Sequence, residues 1–138
     1  MYVKVYSALP EQACWIREIV FVEEQGFAEE FDKLDVIAKH FVLFQEEEPA
    51  ATCRVYWDEE RQQHILGRVA VRREFRRQGV GAAMIGIVEQ YIREQGGSSI
   101  HLHAQCRITD FYASIGYAPY GDIEDDQGCP HVWMKKEL

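Results

Sequence analysis

The chain has 138 residues, with a hydrophobic fraction of 47% and a charged fraction of 28%, which fits one domain over 1–138 built on one core. A formal charge of -8 argues against nucleic acid as a partner, because phosphate backbones select basic faces. The longest apolar runs, such as Ile19 to Val22 and Phe41 to Phe44, fall far short of the roughly 20 residues of a membrane span, so no membrane partner is expected.

No basic-then-apolar leader opens the chain, and the expected address is the cytoplasm. Cys14, Cys53, Cys106 and Cys129 are scattered and form no Cys-x-x-Cys pair. In a reducing compartment they read as thiols rather than a disulfide framework.

In chain order, Tyr2 to Tyr6 alternates as a strand. Pro10 suits the first turn of a helix, and Cys14, Ile16, Ile19 and Val20 recur at helical spacing to about Phe21. The acidic stretch from Glu23 to Lys39, interrupted by Gly26, predicts a loop with a short helical piece. His40 to Gln45, Ala50 to Trp57 and His64 to Val71 are three strands separated by polar turns, too closely spaced for crossovers, so an antiparallel meander is expected.

After Val71 the pattern changes. A basic loop reaches Gly79, and Val80, Met84, Ile87, Val88, Tyr91 and Ile92 form a helical stripe ending near Gly96-Gly97. Ser99 to Ala104 is strand-like, Ile108 to Ile115 suits a short helix closed by Gly116, and Tyr117 to Tyr120 and His131 to Lys136 end the sheet. The order βαβββαβαββ predicts an α/β (α+β) layer fold: a mixed, mostly antiparallel sheet flanked by helices.

Charge is distributed unevenly. Five of the 15 basic residues, Arg68, Arg72, Arg73, Arg76 and Arg77, crowd one segment, while acids dominate Glu23 to Asp35 and Asp122 to Asp126. One anion site on an acidic protein fits a phosphorylated cofactor and a cationic substrate.

The anion site is drawn most sharply by Arg76-Arg77-Gln78-Gly79-Val80-Gly81-Ala82. Gly79 and Gly81 remove side chains where a helix begins, so backbone N–H groups and the helix dipole can meet a diphosphate, with Arg76 and Arg77 adding full charges. No Gly-Lys-Ser/Thr follows, which argues against a nucleoside-triphosphate loop. The preceding strands form a meander rather than a βαβ unit, which argues against a dinucleotide fold.

Placed behind Val69-Ala70-Val71, this loop resembles the GNAT (GCN5-related) N-acetyltransferase superfamily, whose Arg/Gln-x-x-Gly-x-Gly/Ala motif is met by Arg76, Gly79 and Gly81. The segment Phe111-Tyr112-Ala113-Ser114-Ile115-Gly116-Tyr117 resembles the family's Phe-Tyr…Gly-Phe segment. Gln105 stands where many relatives have Asn, and Arg73 where many have Pro. Val20 to Gln25, then Glu30, Asp32, Asp35, Ala38 and His40, and the ending Gly128 to Met134, resemble a bacterial branch grouped with glucosamine-phosphate N-acetyltransferase-like proteins.

The resemblance implies direct transfer from acetyl-CoA to a primary amine of a small molecule. It places the cofactor on Val69, Ala70, Val71, the stretch Arg76 to Ala82, Gln105 and Phe111. Such a reaction needs a polarised thioester carbonyl, a neutral amine and an acid for the leaving thiolate. The N–H of Val71, or of a neighbour at a bulge, is the candidate oxyanion donor.

Tyr112 is the candidate acid, with packing on its helix as the structural alternative. Histidine titrates near neutrality as a residue type, which makes His131 a candidate base, and Glu24 competes with it. Gln25 and Arg54 are candidates for the acceptor, although Arg54 reads equally as a buried partner of Asp32 or Asp35. His101-x-His103 with Cys106 is too few ligands for a metal site, so no metal is expected. Two other readings stay open: a non-catalytic acyl-CoA sensor or interaction module, and a transferase for peptide or protein amines. A homodimer is also open.

Overall fold

The computed structural model describes residues 1–28 and 31–138. It opens with β1 (Tyr2–Tyr6) and α1 (Glu11–Arg17), which runs directly into a π-helical segment (Glu18–Glu24). Then come α2 (Leu34–Ile37), β2 (Lys39–Gln45), β3 (Glu48–Asp58) and β4 (Gln63–Val71). A 3-10 turn (Arg73–Phe75) precedes α3 (Val80–Glu94) and β5 (Ser99–Gln105). A second 3-10 turn (Cys106–Ile108) precedes α4 (Thr109–Ser114), β6 (Ala118–Asp126) and β7 (Cys129–Glu137).

The strands form one sheet in the order β1-β2-β3-β4-β5-β7-β6. Every pairing is antiparallel except β4 with β5, because α3 forms a crossover between those two strands. The expected order is therefore the observed one, with α1, the π segment and α2 filling the first helical slot.

Helix α3 forms because its apolar residues fall on one stripe, and Met84, Ile85, Val88 and Ile92 are completely buried against the sheet. Each such side chain contributes about 1.5–3 kcal/mol by leaving water. The opposite face is covered over β2 to β4 by Ala13 and Ile16 of α1 and Val20 and Phe21 of the π segment. The two faces of the sheet are thus covered by different elements, and the start of α3 and the end of the π segment both reach a common cleft.

Three expectations change in detail. Pro10 is the residue just before α1 rather than in its first turn, and its carbonyl receives the N–H groups of Ala13 and Cys14. The helix widens from Glu18 into π geometry, a form that concentrates at functional sites. The last strand pair is longer than expected, because ladder bonds to β7 hold the acidic stretch to Asp126 as an edge strand. Its charged side chains stand in solvent, as suits an edge. Glu30, one of the residues carrying the family resemblance, lies outside the described residues.

Candidate active site

The site begins as a gap in the sheet. Parallel pairing of β4 with β5 covers only His64 to Leu66 against Ile100 to Leu102. Beyond it the strands diverge, and β4 also carries a bulge opposite Cys53, with Arg68 at φ 52. Past the bulge, Arg72 N–H bonds to the Ala50 carbonyl at 2.9 Å, one step beyond the Ala51–Val71 pair. That makes Ala51–Val71 a non-hydrogen-bonded pair, so the N–H and C=O of Val71 point away from β3 into the gap.

A cleft of about 1120 Å³ fills this gap. Val69, Ala70, Val71, Arg76, Arg77 and the stretch Gly79 to Ala82 line it, together with Gln105 and Phe111. Gln78 does not: its amide donates to the Glu74 carbonyl at 3.2 Å. Gly79 takes φ 74, a left-handed turn that glycine enters without strain, and starts α3 with no side-chain cap. The first bond of the helix is Ala83 N–H to the Gly79 carbonyl at 3.0 Å. The amides of Val80, Gly81 and Ala82 therefore lack intrahelical partners and face the cleft beside Arg76 and Arg77. This donor set fits a diphosphate.

Tyr112 lies one turn into the apolar core and is 5% exposed, yet its side chain lines both the cleft and a smaller adjoining pocket of about 90 Å³. Its hydroxyl makes no hydrogen bond to the described residues. Burial, and then nearby Cys53, push its ionisation above the usual tyrosine value, so it is a neutral donor at physiological pH.

The smaller pocket holds His131, which the larger cleft does not reach. His131 Nδ1 is 2.8 Å from the Cys129 carbonyl. A carbonyl only accepts, so Nδ1 carries the proton and Nε2 carries the lone pair in the neutral ring. His103 lines the same pocket, 5.0 Å from the His131 ring and stacked on Trp133 at 4.8 Å. Burial, then the neighbouring His131, hold the His103 imidazole below its usual range.

Two residues at the end of the π segment tie the walls together. Glu24 Oε2 accepts from Arg76 Nη2 at 2.8 Å, while Arg76 Nε donates to the Val71 carbonyl at 2.9 Å. Gln25 Oε1 accepts from Gln105 Nε2 at 2.8 Å, and Gln105 Oε1 accepts from Arg107 Nε at 2.9 Å. Phe27, Gln127 and Cys129 also line the cleft. Phe27 and Gln127 were not anticipated, because they come from distant turns whose approach leaves no local pattern.

Arg54 is a correction. It lines neither cavity and instead donates to Asp32 at 2.6 Å and to Asp35 at 2.9 Å, while Arg17 holds Asp35 at 2.8 Å. With both carboxylates on its guanidinium, Arg54 takes the buried ion-pair alternative rather than the acceptor role. His101 bonds to the Tyr120 hydroxyl at 2.6 Å. Among the described residues no three His, Cys, Asp or Glu side chains are grouped to hold a metal.

Residues 8–138 match the acetyltransferase (GNAT) domain family. The N-acetyltransferase YjcF of Bacillus subtilis (strain 168) is 32% identical, over 92% of this chain and 91% of that protein. A crystal structure from Lactobacillus plantarum superposes with a TM-score of 0.89 at 28% identity, covering 99% of this chain and 97% of the other. An aminoglycoside 6'-N-acetyltransferase complexed with coenzyme A shares the fold, with a TM-score of 0.74 at 13% identity over 99% and 97% of the two chains. The chain belongs to the GNAT acetyltransferase family and is an acetyl-CoA-dependent N-acyltransferase.

Proposed function

We propose that residues 1–138 act as one transferase domain that moves an acetyl group from acetyl-CoA to a primary amine of a small molecule, with Tyr112 as general acid. The observation that carries this reading is the position of Tyr112. It stands where the cleft beside the α3 N-terminus meets the pocket of His131. That the fold is shared by an aminoglycoside 6'-N-acetyltransferase supports an acceptor of this kind.

Acetyl-CoA supplies an activated acyl thioester. The amides of Val80, Gly81 and Ala82 hold its diphosphate, with Arg77 adding charge. The Val71 N–H, directed into the gap, polarises the thioester carbonyl. The amine nitrogen then bonds to the carbonyl carbon and the carbon–sulfur bond breaks. Tyr112 gives its proton to the departing sulfur, and His131 Nε2 takes one from the amine. His131 is preferred to Glu24 as base because its tautomer leaves a lone pair on Nε2 in the pocket that Tyr112 also lines, a pocket Glu24 does not line.

A panel of polyamines, amino sugars and peptides, assayed with acetyl-CoA by thiol detection, tests this function. Thiol release with small amines, and not with peptides, is the expected result. Silence across the panel, or no acetyl-CoA binding by calorimetry at millimolar ligand, overturns it.

A further inference from the structure

Among the described residues, Glu24 is the carboxylate that lines the cleft beside its arginines. It ends the π segment, accepts from Arg76 at 2.8 Å and lies 3.9 Å from Arg73 Nη2. Its side chain is 17% exposed, so water reaches it from the cleft, and Arg76 is 38% exposed. Arg73, Arg76 and Arg77 stand on the same wall as the uncapped amides of α3. An anion arriving at those amides meets Glu24 as a like charge and as a rival for Arg76 and Arg73.

The neighbours of Glu24 point the other way. Gln25, the next residue, is bonded to Gln105 at the end of β5, and Phe21 and Phe27 on either side of the segment's end line the His131 pocket. Glu24 thus sits between the anion-binding loop and the acceptor side of the gap.

We propose that Glu24 is an acceptor-positioning residue released by the cofactor: it neutralises Arg76 before the diphosphate binds, and afterwards its carboxylate receives the ammonium of the incoming amine. The inference rests on the acetyl-transfer reading. Linkage follows from it, since a ligand that draws Arg76 away from Glu24 strengthens amine binding, and amine binding strengthens cofactor binding by the same factor. A general base would instead act on the chemical step alone.

Calorimetry with CoA on the wild type and on Glu24→Gln separates these roles, with thermal melts to show that both are folded. Removing the rival charge is expected to tighten CoA binding about fivefold or more at low salt, with the ratio falling toward one as salt screens the contact. With the amine that the panel shows to be turned over fastest, Glu24→Gln is expected to raise KM about fivefold or more and to leave kcat within about twofold.

Equal or weaker CoA binding by the variant, while the wild type binds, overturns the release role alone. A collapse of kcat at unchanged KM overturns it in favour of a catalytic base. Failure of both proteins to bind CoA removes the acetyl-transfer reading and this inference together.

Discussion

Gln105 Nε2 donates to Gln25 Oε1 at 2.8 Å and so bridges the end of β5 to the end of the π segment. The bond spans the place where β4 and β5 have stopped pairing. Gln105 is 9% exposed, and its carbonyl oxygen is held by Arg107, so loss of Gln25 leaves a buried amide without that acceptor. Gln25→Ala is expected to lower stability by about 1–2 kcal/mol. It should raise the KM for the amine more than the Kd for CoA. Denaturant melts and calorimetry measure the two effects.

The loop at Gly81 makes a sharper distinction between sizes of side chain. A Cβ there would lie 3.5 Å from Phe111 Cζ and 3.5 Å from Val71 Cγ2, which is ordinary contact. Gly81→Ala is therefore expected to keep CoA affinity within about threefold, while Gly81→Leu must push into Phe111 or cover the amides. Overpacking of that kind costs about 1–3 kcal/mol, or about fivefold to 150-fold if it falls on Kd. Calorimetry on the two variants is the check, and equal losses would remove the close-approach argument.

The loop wall of the candidate cleft was legible in the sequence because its parts are neighbours: Arg76 to Ala82 are consecutive, and Val69 to Val71 lie just before them. The helix stripe of α3 and the alternation of the strands are local in the same sense. The facing wall is built at long range, with Glu24 meeting Arg76 across 52 residues and Gln25 meeting Gln105 across 80. No periodicity encodes such meetings. Arg54 was ambiguous for a related reason, since an arginine among apolar strand residues demands an anion without naming it. The bulge at Arg68 and the π geometry are backbone responses to packing, and their residue types carry no mark of either.

The buried network around Asp35 sets the acid limb of stability. Burial alone would raise the Asp35 carboxyl, but hydrogen bonds from Arg17 and Arg54 outweigh it and bring it to about 2, from 3.8. A depressed carboxyl stabilises the fold above its unfolded value, and that stability is lost as pH falls from 3.8 toward about 2. The effect is on the order of 2 kcal/mol.

His40, whose Nε2 is 2.9 Å from the Asp35 carbonyl, is pushed below 6.5 chiefly by burial. Its contribution is present above 6.5 and is lost as pH falls below it. Urea titrations should show stability declining first below about pH 6.5 and again below about pH 4. Asp35→Asn should flatten the second step and lower stability at neutral pH by about 3 kcal/mol, because it removes the buried carboxylate that Arg17 and Arg54 share.

Tyr112→Phe bears most directly on the chemistry. Phenylalanine fills nearly the same volume, and the lost hydroxyl has no hydrogen bond to the described residues, so the fold and the CoA Kd should change little. If the hydroxyl protonates the departing sulfur, kcat should fall about 10²–10⁴-fold. The raised ionisation of Tyr112 makes it a weak acid in isolation. The same dry surroundings raise the proton affinity of a thiolate leaving beside it, so the transfer lies between two buried anions rather than between a buried and a hydrated one. Because burial lifts the hydroxyl above its ordinary value of 10.0, Tyr112 stays protonated as pH rises through 10. No alkaline fall in the wild-type rate below that pH should then disappear in the variant. A kcat for Tyr112→Phe within about twofold of wild type across the pH profile would return Tyr112 to a packing role.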